Sequence, residues 1–130
     1  MIVDRLFVYG TLRSGQPARP LVARHVARWE PASTTGRMVA FPLGYPGLVE
    51  DPTSRVVGEL VWLEAATLAA ALEELDAFEG DEYVRMLKPV QRQDGGEEVA
   101  WCYVLADEAA VTRGVPVPDG DWVRYAAGSQ

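Results

Sequence analysis

The sequence predicts a mixed α+β domain, and three features carry that reading. Two strand-like runs, 83–92 and 97–105, flank Asp94, Gly95 and Gly96, a composition that closes a hairpin. Residues 65–78 place Leu68, Ala71, Leu72, Leu75 and Phe78 on one helical face among good helix formers. The run Leu6, Phe7, Val8 and Tyr9 stops at Gly10, as a buried strand does when it enters a tight turn.

Taken in order, 5–9 is the first strand, and a polar loop over 10–19, with Gly15 and Pro17, follows it. Over 18–29, Leu21, Val22, His25, Val26 and Trp29 recur at helical spacing, so a short helix is expected to pack one face on the sheet. Pro31 should end it. Segments 32–41, around Gly36, and 55–63 are rich in β-branched, aromatic and other apolar residues and read as strands. Between them, 42–52 carries three Pro and two Gly and reads as an ordered surface loop, the kind of place where sites lie.

Gly80 stops the 65–78 helix, and Pro89 points to an edge position or a bulge for 83–92. In 97–105, Val99, Trp101, Tyr103 and Leu105 alternate with Ala100, Cys102 and Val104, apolar on both faces, as in a strand covered on both sides. The segment 114–130 has Pro116, Pro118 and Gly120 before Trp122 and Tyr125, and is expected to be extended and anchored by its aromatics. No repeat, linker or low-complexity tract interrupts the 130 residues, which read as one domain.

Composition removes several classes of function. A hydrophobic content of 48% with four Trp, five Tyr and three Phe excludes wholesale disorder. A formal charge of −7 repels phosphate backbones and anionic membrane surfaces, so neither nucleic acid nor membrane is an expected partner. No run approaches the roughly 20 apolar residues of a membrane span, and the first residues enter a strand pattern with no signal-peptide anatomy, so the cytoplasm is the expected compartment. One Cys and one His assemble neither an internal disulfide nor a zinc site of the usual kind.

With no cysteine pair or metal set available, the place to look is where a local rule is broken. Glu79 is such a place, because it stands at the C-terminal end of the best helix, where the dipole disfavours negative charge. Asp76, Asp81 and Glu82 crowd the same junction, and like charges together with partial burial raise a glutamate pKa toward what a general base near neutral pH needs. A solvated acidic turn has the same composition. The second candidate is Tyr9, Gly10, Thr11, Leu12 and Arg13, where a strand running into glycine presents successive backbone N–H groups as an anion-binding concavity, with the Thr11 hydroxyl as a further donor. An ordinary strand-to-loop turn reads the same way. Cys102, inside an apolar strand, and His25, on an apolar helical face without partners, read as structural; Trp62 and Trp101 read as core, and Trp122 as a core anchor or a pocket wall.

As a set, these pieces resemble the gamma-glutamylcyclotransferase-like family, in particular its compact bacterial and gamma-glutamylamine cyclotransferase branches. The blocks that carry the resemblance are Phe7-Val8-Tyr9-Gly10-Thr11-Leu12-Arg13 with Gly15, Tyr45-Pro46-Gly47, Val57-Gly58-Glu59-Leu60 and Leu75-Asp76-Ala77-Phe78-Glu79-Gly80. They continue with Tyr83 and Arg85, Trp101 and Tyr103, and Gly120-Asp121-Trp122, in the family's order and over nearly the whole chain.

The resemblance implies a mixed β-barrel with flanking helices and a cavity between the first strand's loop and the glutamate after the long helix, here Glu79. It implies a cyclotransferase reaction on a gamma-glutamyl amine or peptide that releases 5-oxoproline and the amine, with no cofactor and no metal. Glu79 would be the catalytic acid and base. Tyr9, Gly10, Thr11 and Leu12 would hold the substrate carboxylate, Tyr83 would form a wall, and Arg85 would neutralise the acidic cluster. A non-catalytic binder of a small carboxylate or amide on the same fold, and a hydrolase or a deprotecting enzyme acting on a larger amine, stand as alternatives. The leaving group and the oligomeric state have no signature in the sequence.

Overall fold

Strand β1 (Arg5–Val8) alternates its side chains between two apolar environments, Phe7 into one core cluster and Leu6 and Val8 into another. It achieves this by lying between two partners, β5 (Arg55–Leu63), antiparallel, and β7 (Glu97–Leu105), parallel. In the computed structural model, which describes residues 2–128, these strands belong to a closed five-stranded barrel completed by β2 (Val26–Thr35) and β6 (Tyr83–Arg92), in the order β1-β5-β2-β6-β7. The closing ladder is short, with β2 meeting β6 only at Ala32 and Ser33. A second, three-stranded sheet is formed by β3 (Arg37–Phe41) between β4 (Tyr45–Val49) and β8 (Val115–Pro116).

One cluster, with Phe7, Met38, Leu48, Leu60, Cys102 and Trp122, joins one face of the barrel strands to the small sheet and the C-terminal helix. The other, with Leu6, Val8, Val22, Val61, Leu75 and Tyr103, lies on the other face beneath α1 (Arg19–Ala23) and α2 (Leu68–Glu79). Helix α2 follows a 3-10 turn (Ala65–Thr67) and ends at Gly80, whose φ of 70° is left-handed backbone suited to glycine. The mixed barrel with flanking helices agrees with the expected fold, and β5, β6 and β7 begin and end at the expected residues.

Four expectations change. The helix expected over 18–29 is the single turn of α1, and Val26 to Trp29 belong to β2, which lies along most of β5 and gains a long hydrogen-bond ladder there, its register shifting only between Val26 and Arg28. Pro31 therefore ends no helix; it sits within β2 opposite Glu59, outside the short β2–β6 ladder at Ala32 and Ser33. The run 32–41 divides at Gly36 between β2 and β3, strands of different sheets. The loop expected over 42–52 contains β4, an edge strand paired with β3, and the edge is where Pro46 is tolerated. The tail over 114–130 is extended only as far as β8 and then forms α3 (Trp122–Gly128); its last two residues lie outside the described ones.

This topology gathers one end of the barrel. Because β1 runs parallel to β7, both point their C-terminal ends the same way, and β6, antiparallel to β7, starts there with Tyr83 opposite Leu105. The loop after β1, the end of α2 and the start of β6 consequently converge.

Candidate active site

The convergence encloses a cavity of about 600 Å³, within the usual range for small-molecule sites. Tyr9, Gly10, Thr11 and Leu12 line it from the loop after β1, Glu79 from the end of α2 and Tyr83 from the start of β6. The six residues singled out in the sequence thus share one wall-to-wall space. Tyr45, Pro46, Phe78, Glu82 and Tyr103 also line it and were not singled out as site residues. Phe78, on the same helical face as Leu75 by spacing, is 50% exposed and lines the cavity.

Two carboxyl groups face this space, and their surroundings differ. Glu82 accepts hydrogen bonds from the Tyr45 hydroxyl at 2.9 and 3.1 Å. Glu79 has neither a hydrogen bond nor an ion pair among the described residues. Desolvation by burial raises its carboxyl from an ordinary 4.5 to about 7, and the nearby charge of Glu82 adds to the rise. Asp76, a turn earlier on α2, is held low by hydrogen bonds from Arg85 at 2.8 and 3.1 Å and accepts another from the Tyr103 hydroxyl at 2.6 Å. Arg85 also lies 4.2 Å above the Trp101 ring, so it neutralises Asp76 and stays beside the barrel wall.

The cavity's tyrosines are committed elsewhere. The Tyr9 hydroxyl donates to the Tyr103 carbonyl at 2.6 Å and the Tyr83 hydroxyl to the Pro46 carbonyl at 2.6 Å. Burial pushes both phenols far above their ordinary range, so both stay neutral and brace the walls. Of the loop, the backbone N–H groups of Gly10, Thr11 and Leu12 donate to no protein acceptor among the described residues. They remain available to a ligand's negative oxygen.

The loop carrying those donors is fixed from below by Glu59, 5% exposed. Its carboxylate accepts from the Ser14 N–H at 2.9 Å, the Ser14 hydroxyl at 3.1 Å and Arg19 at 2.8 Å, while Arg19 also donates to the Leu12 carbonyl at 3.2 Å. Arg13 binds Asp121 at 2.9 Å, tying the same loop to the residue before α3. Gly10 matters for packing: a Cβ built there would stand 2.6 Å from Pro46 Cγ, so the loop and β4 meet only because position 10 has no side chain. The space on the Cβ side of Gly10 is filled by the proline ring of β4, and the N–H of Gly10 is not what that ring covers.

The remaining candidates fall outside the cavity. Cys102 is fully buried, and burial pushes its thiol up to about 12, far from a nucleophile's range. His25 is buried with its Nδ1 3.1 Å from the Thr67 hydroxyl. Trp122 is a core anchor, 5% exposed, and also lines a second, neighbouring cavity, so both readings of it hold. Among the described residues no group of three His, Cys, Asp or Glu side chains is arranged to hold a metal ion, and no helix is long and apolar enough to cross a membrane.

Comparison with known proteins points the same way as the geometry. A family profile described as gamma-glutamyl cyclotransferase, AIG2-like, matches residues 6–124. Gamma-L-glutamyl-butirosin B gamma-glutamyl cyclotransferase of Niallia circulans is 30% identical over 130 residues, 96% of this chain and 79% of that protein. Among solved structures, YkqA of Bacillus subtilis superposes with a TM-score of 0.77 at 25% identity over 98% of this chain, which spans only 42% of YkqA. An AIG2-like protein from Mus musculus superposes with a TM-score of 0.68 at 27% identity, over 82% of this chain and 79% of that one.

Proposed function

The chain belongs to the gamma-glutamyl cyclotransferase, AIG2-like family and is an enzyme of that kind, and from that premise we propose that it converts a gamma-glutamyl amine or peptide to 5-oxoproline and the free amine, with Glu79 moving the proton. The observation that carries the reading is the contrast between the two cavity carboxyls, Glu82 held by Tyr45 and Glu79 unpartnered and raised to about 7. A group with that pKa is present in both forms near neutral pH, as one residue acting first as base and then as acid requires.

In this reaction the α-amino nitrogen forms a bond to the γ-carbonyl carbon of its own glutamyl group, closing a five-membered ring, and the bond from that carbon to the attached nitrogen breaks. No water is consumed. Nucleophile and electrophile share one molecule, so the enzyme's tasks are to hold a folded conformer and to move a proton. Glu79 takes one proton from the α-ammonium and passes it to the departing nitrogen, and the second proton that the ring nitrogen sheds on closure follows by the same carboxylate, so the amine leaves as an ammonium and the carboxylate ends as it began. The N–H groups of Gly10, Thr11 and Leu12, with the Thr11 hydroxyl, hold the α-carboxylate and the oxygen that becomes negative as the ring closes. Tyr9, Tyr83 and Tyr103 wall the cavity with rings whose hydroxyls are already bonded. That the Niallia circulans relative is named for gamma-L-glutamyl-butirosin B, a gamma-glutamyl derivative, supports this substrate class.

Product analysis tests the reading. Incubation with a panel of gamma-glutamyl amines, dipeptides and isopeptides should release 5-oxoproline stoichiometric with amine. Free glutamate would mean hydrolysis, and binding without either product would mean a non-catalytic module.

A further inference from the structure

A second cavity of about 420 Å³ lies against the first. It is lined by Gln16 from the loop and by Trp122, Val123, Ala126 and Ala127 from α3, while Thr11, Pro17 and Gly44 line both cavities. Glu79, Glu82 and Tyr83 line the first alone. The two spaces therefore meet at the loop that carries the free N–H groups, and the second extends from that meeting point toward α3.

Among the described residues, none that lines the second cavity is charged. The charged groups nearest in sequence on the α3 side are engaged elsewhere, Asp121 with Arg13 at 2.9 Å and Arg124 with Asp119 at 3.7 Å. The cavity's firm part is Trp122, which stacks on Tyr125 with ring centroids 5.7 Å apart and belongs to the barrel's core cluster.

Resting on the cyclotransferase reading above, we propose that this second cavity receives the amine half of the substrate and selects gamma-glutamyl derivatives of uncharged, apolar amines. The reaction divides its substrate into two parts with different needs. The glutamyl part brings an α-carboxylate, an α-ammonium and the reacting carbonyl, which require the N–H groups of the loop and Glu79. The other part is attached only through the departing nitrogen and extends away from that carbonyl. Across the shared residues Thr11, Pro17 and Gly44, the space open to it is walled by the indole, isopropyl and methyl groups of α3 and by the uncharged Gln16 side chain of the loop. An aryl or alkyl group gains by leaving water there. A carboxylate or ammonium would lose hydration against walls that offer no counter-charge.

The test uses three synthetic substrates and reads kcat/KM for 5-oxoproline: gamma-glutamyl-benzylamide, gamma-glutamyl-methylamide, whose leaving group is too short to enter the second cavity, and gamma-glutamylglycine, whose leaving group carries a carboxylate. The benzylamide should exceed the methylamide at least tenfold, the scale on which an apolar pocket discriminates, and gamma-glutamylglycine should fall below both. Ala127→Asp, at an exposed position of the cavity wall, should lower the benzylamide-to-methylamide ratio at least tenfold; Gln16→Glu, on the opposite wall, should lower it independently should the helix variant fail to fold. A wild-type ratio near one overturns the proposal, as does a benzylamide preference that both variants retain. If the methylamide is cyclised without a benzylamide preference, only the role of the second cavity fails. If none of the substrates in the panel yields 5-oxoproline, the reading of the first cavity fails and takes this one with it.

Discussion

Replacing Glu79 by Gln should remove activity and add stability, an opposition that separates a proton-transfer role from a structural one. The carboxyl is raised from 4.5 to about 7, mainly by desolvation and then by Glu82. That rise corresponds to about 3 kcal/mol by which ionisation costs more in the folded protein than in the unfolded chain. The native state holds a proton that the unfolded state has lost between pH 4.5 and about 7, so stability falls as pH rises through that window and is flat above it. Below 4.5 both states are protonated and the penalty vanishes. Glu79→Gln should therefore be more stable than wild type at pH 8 by up to about 3 kcal/mol, less the cost of a buried amide without a partner, and show no such gain at pH 4. Urea denaturation followed by circular dichroism at both pH values measures this. Turnover should fall by about 10²–10⁴-fold, the usual share of a general acid–base group, and Glu79→Asp should also be poor, since a misplacement of about 1 Å costs on the order of 10² in rate. The wild-type kcat/KM profile should rise through about 7 on its acid side, and the residual activity of the Gln variant should lack that limb. A variant destabilised equally at both pH values, or turning over at near-native rate, refutes the assignment.

Three other expectations follow from the same geometry. Glu82→Gln removes the charge that helps raise Glu79 and should move the acid limb to lower pH with only a modest change in the plateau rate; a dead enzyme with an unmoved limb would make Glu82 the reacting carboxyl. Gly10→Ala places a Cβ against Pro46, whose carbonyl also anchors Tyr83, so melting temperature and substrate affinity should both fall, by differential scanning fluorimetry and calorimetric titration; an unchanged pair would dissociate the loop from the cavity. Cys102→Ser buries a hydroxyl in an apolar strand and should cost about 1–3 kcal/mol in urea denaturation while kcat stays within a few-fold; loss of the chemical step in a folded variant would contradict the inert thiol.

What the sequence disclosed and withheld follows from how local each cause is. The end of α2 was readable because Gly80 and the apolar periodicity before it act within one turn, and the β6–β7 hairpin because Asp94, Gly95 and Gly96 determine it alone. Strand β2 was hidden because its ladder partner, β5, is remote in sequence, and helical spacing over 18–29 was the only local signal. Strand β4 was hidden by Pro46 and Gly47, which read as loop until the strand is known to be an edge. The site divided in the same way. Glu79 stood out through a broken rule at a helix end, but Tyr45 acts through a bond to Glu82 across 37 positions, and Glu59 through bonds to Ser14 and Arg19 that only the folded loop creates. The motif blocks containing Tyr45 and Glu59 were the available signal for both.

The arrangement around α2 also shows why a glutamate at the unfavourable end of a helix keeps a usable pKa. Four acidic residues, Asp76, Glu79, Asp81 and Glu82, lie within seven positions of the chain, and Glu79 does not feel the full sum of their repulsions. Asp76 is removed from that sum by Arg85 and the Tyr103 hydroxyl, which hold its charge in place and screen it. Asp81 is exposed, where water attenuates its field. What remains is burial, which supplies most of the rise, and Glu82, whose own carboxylate is oriented by Tyr45. Arg85 thus holds the Asp76 charge, a turn earlier on α2, without lining the cavity, and the rise of Glu79 is left to burial and Glu82.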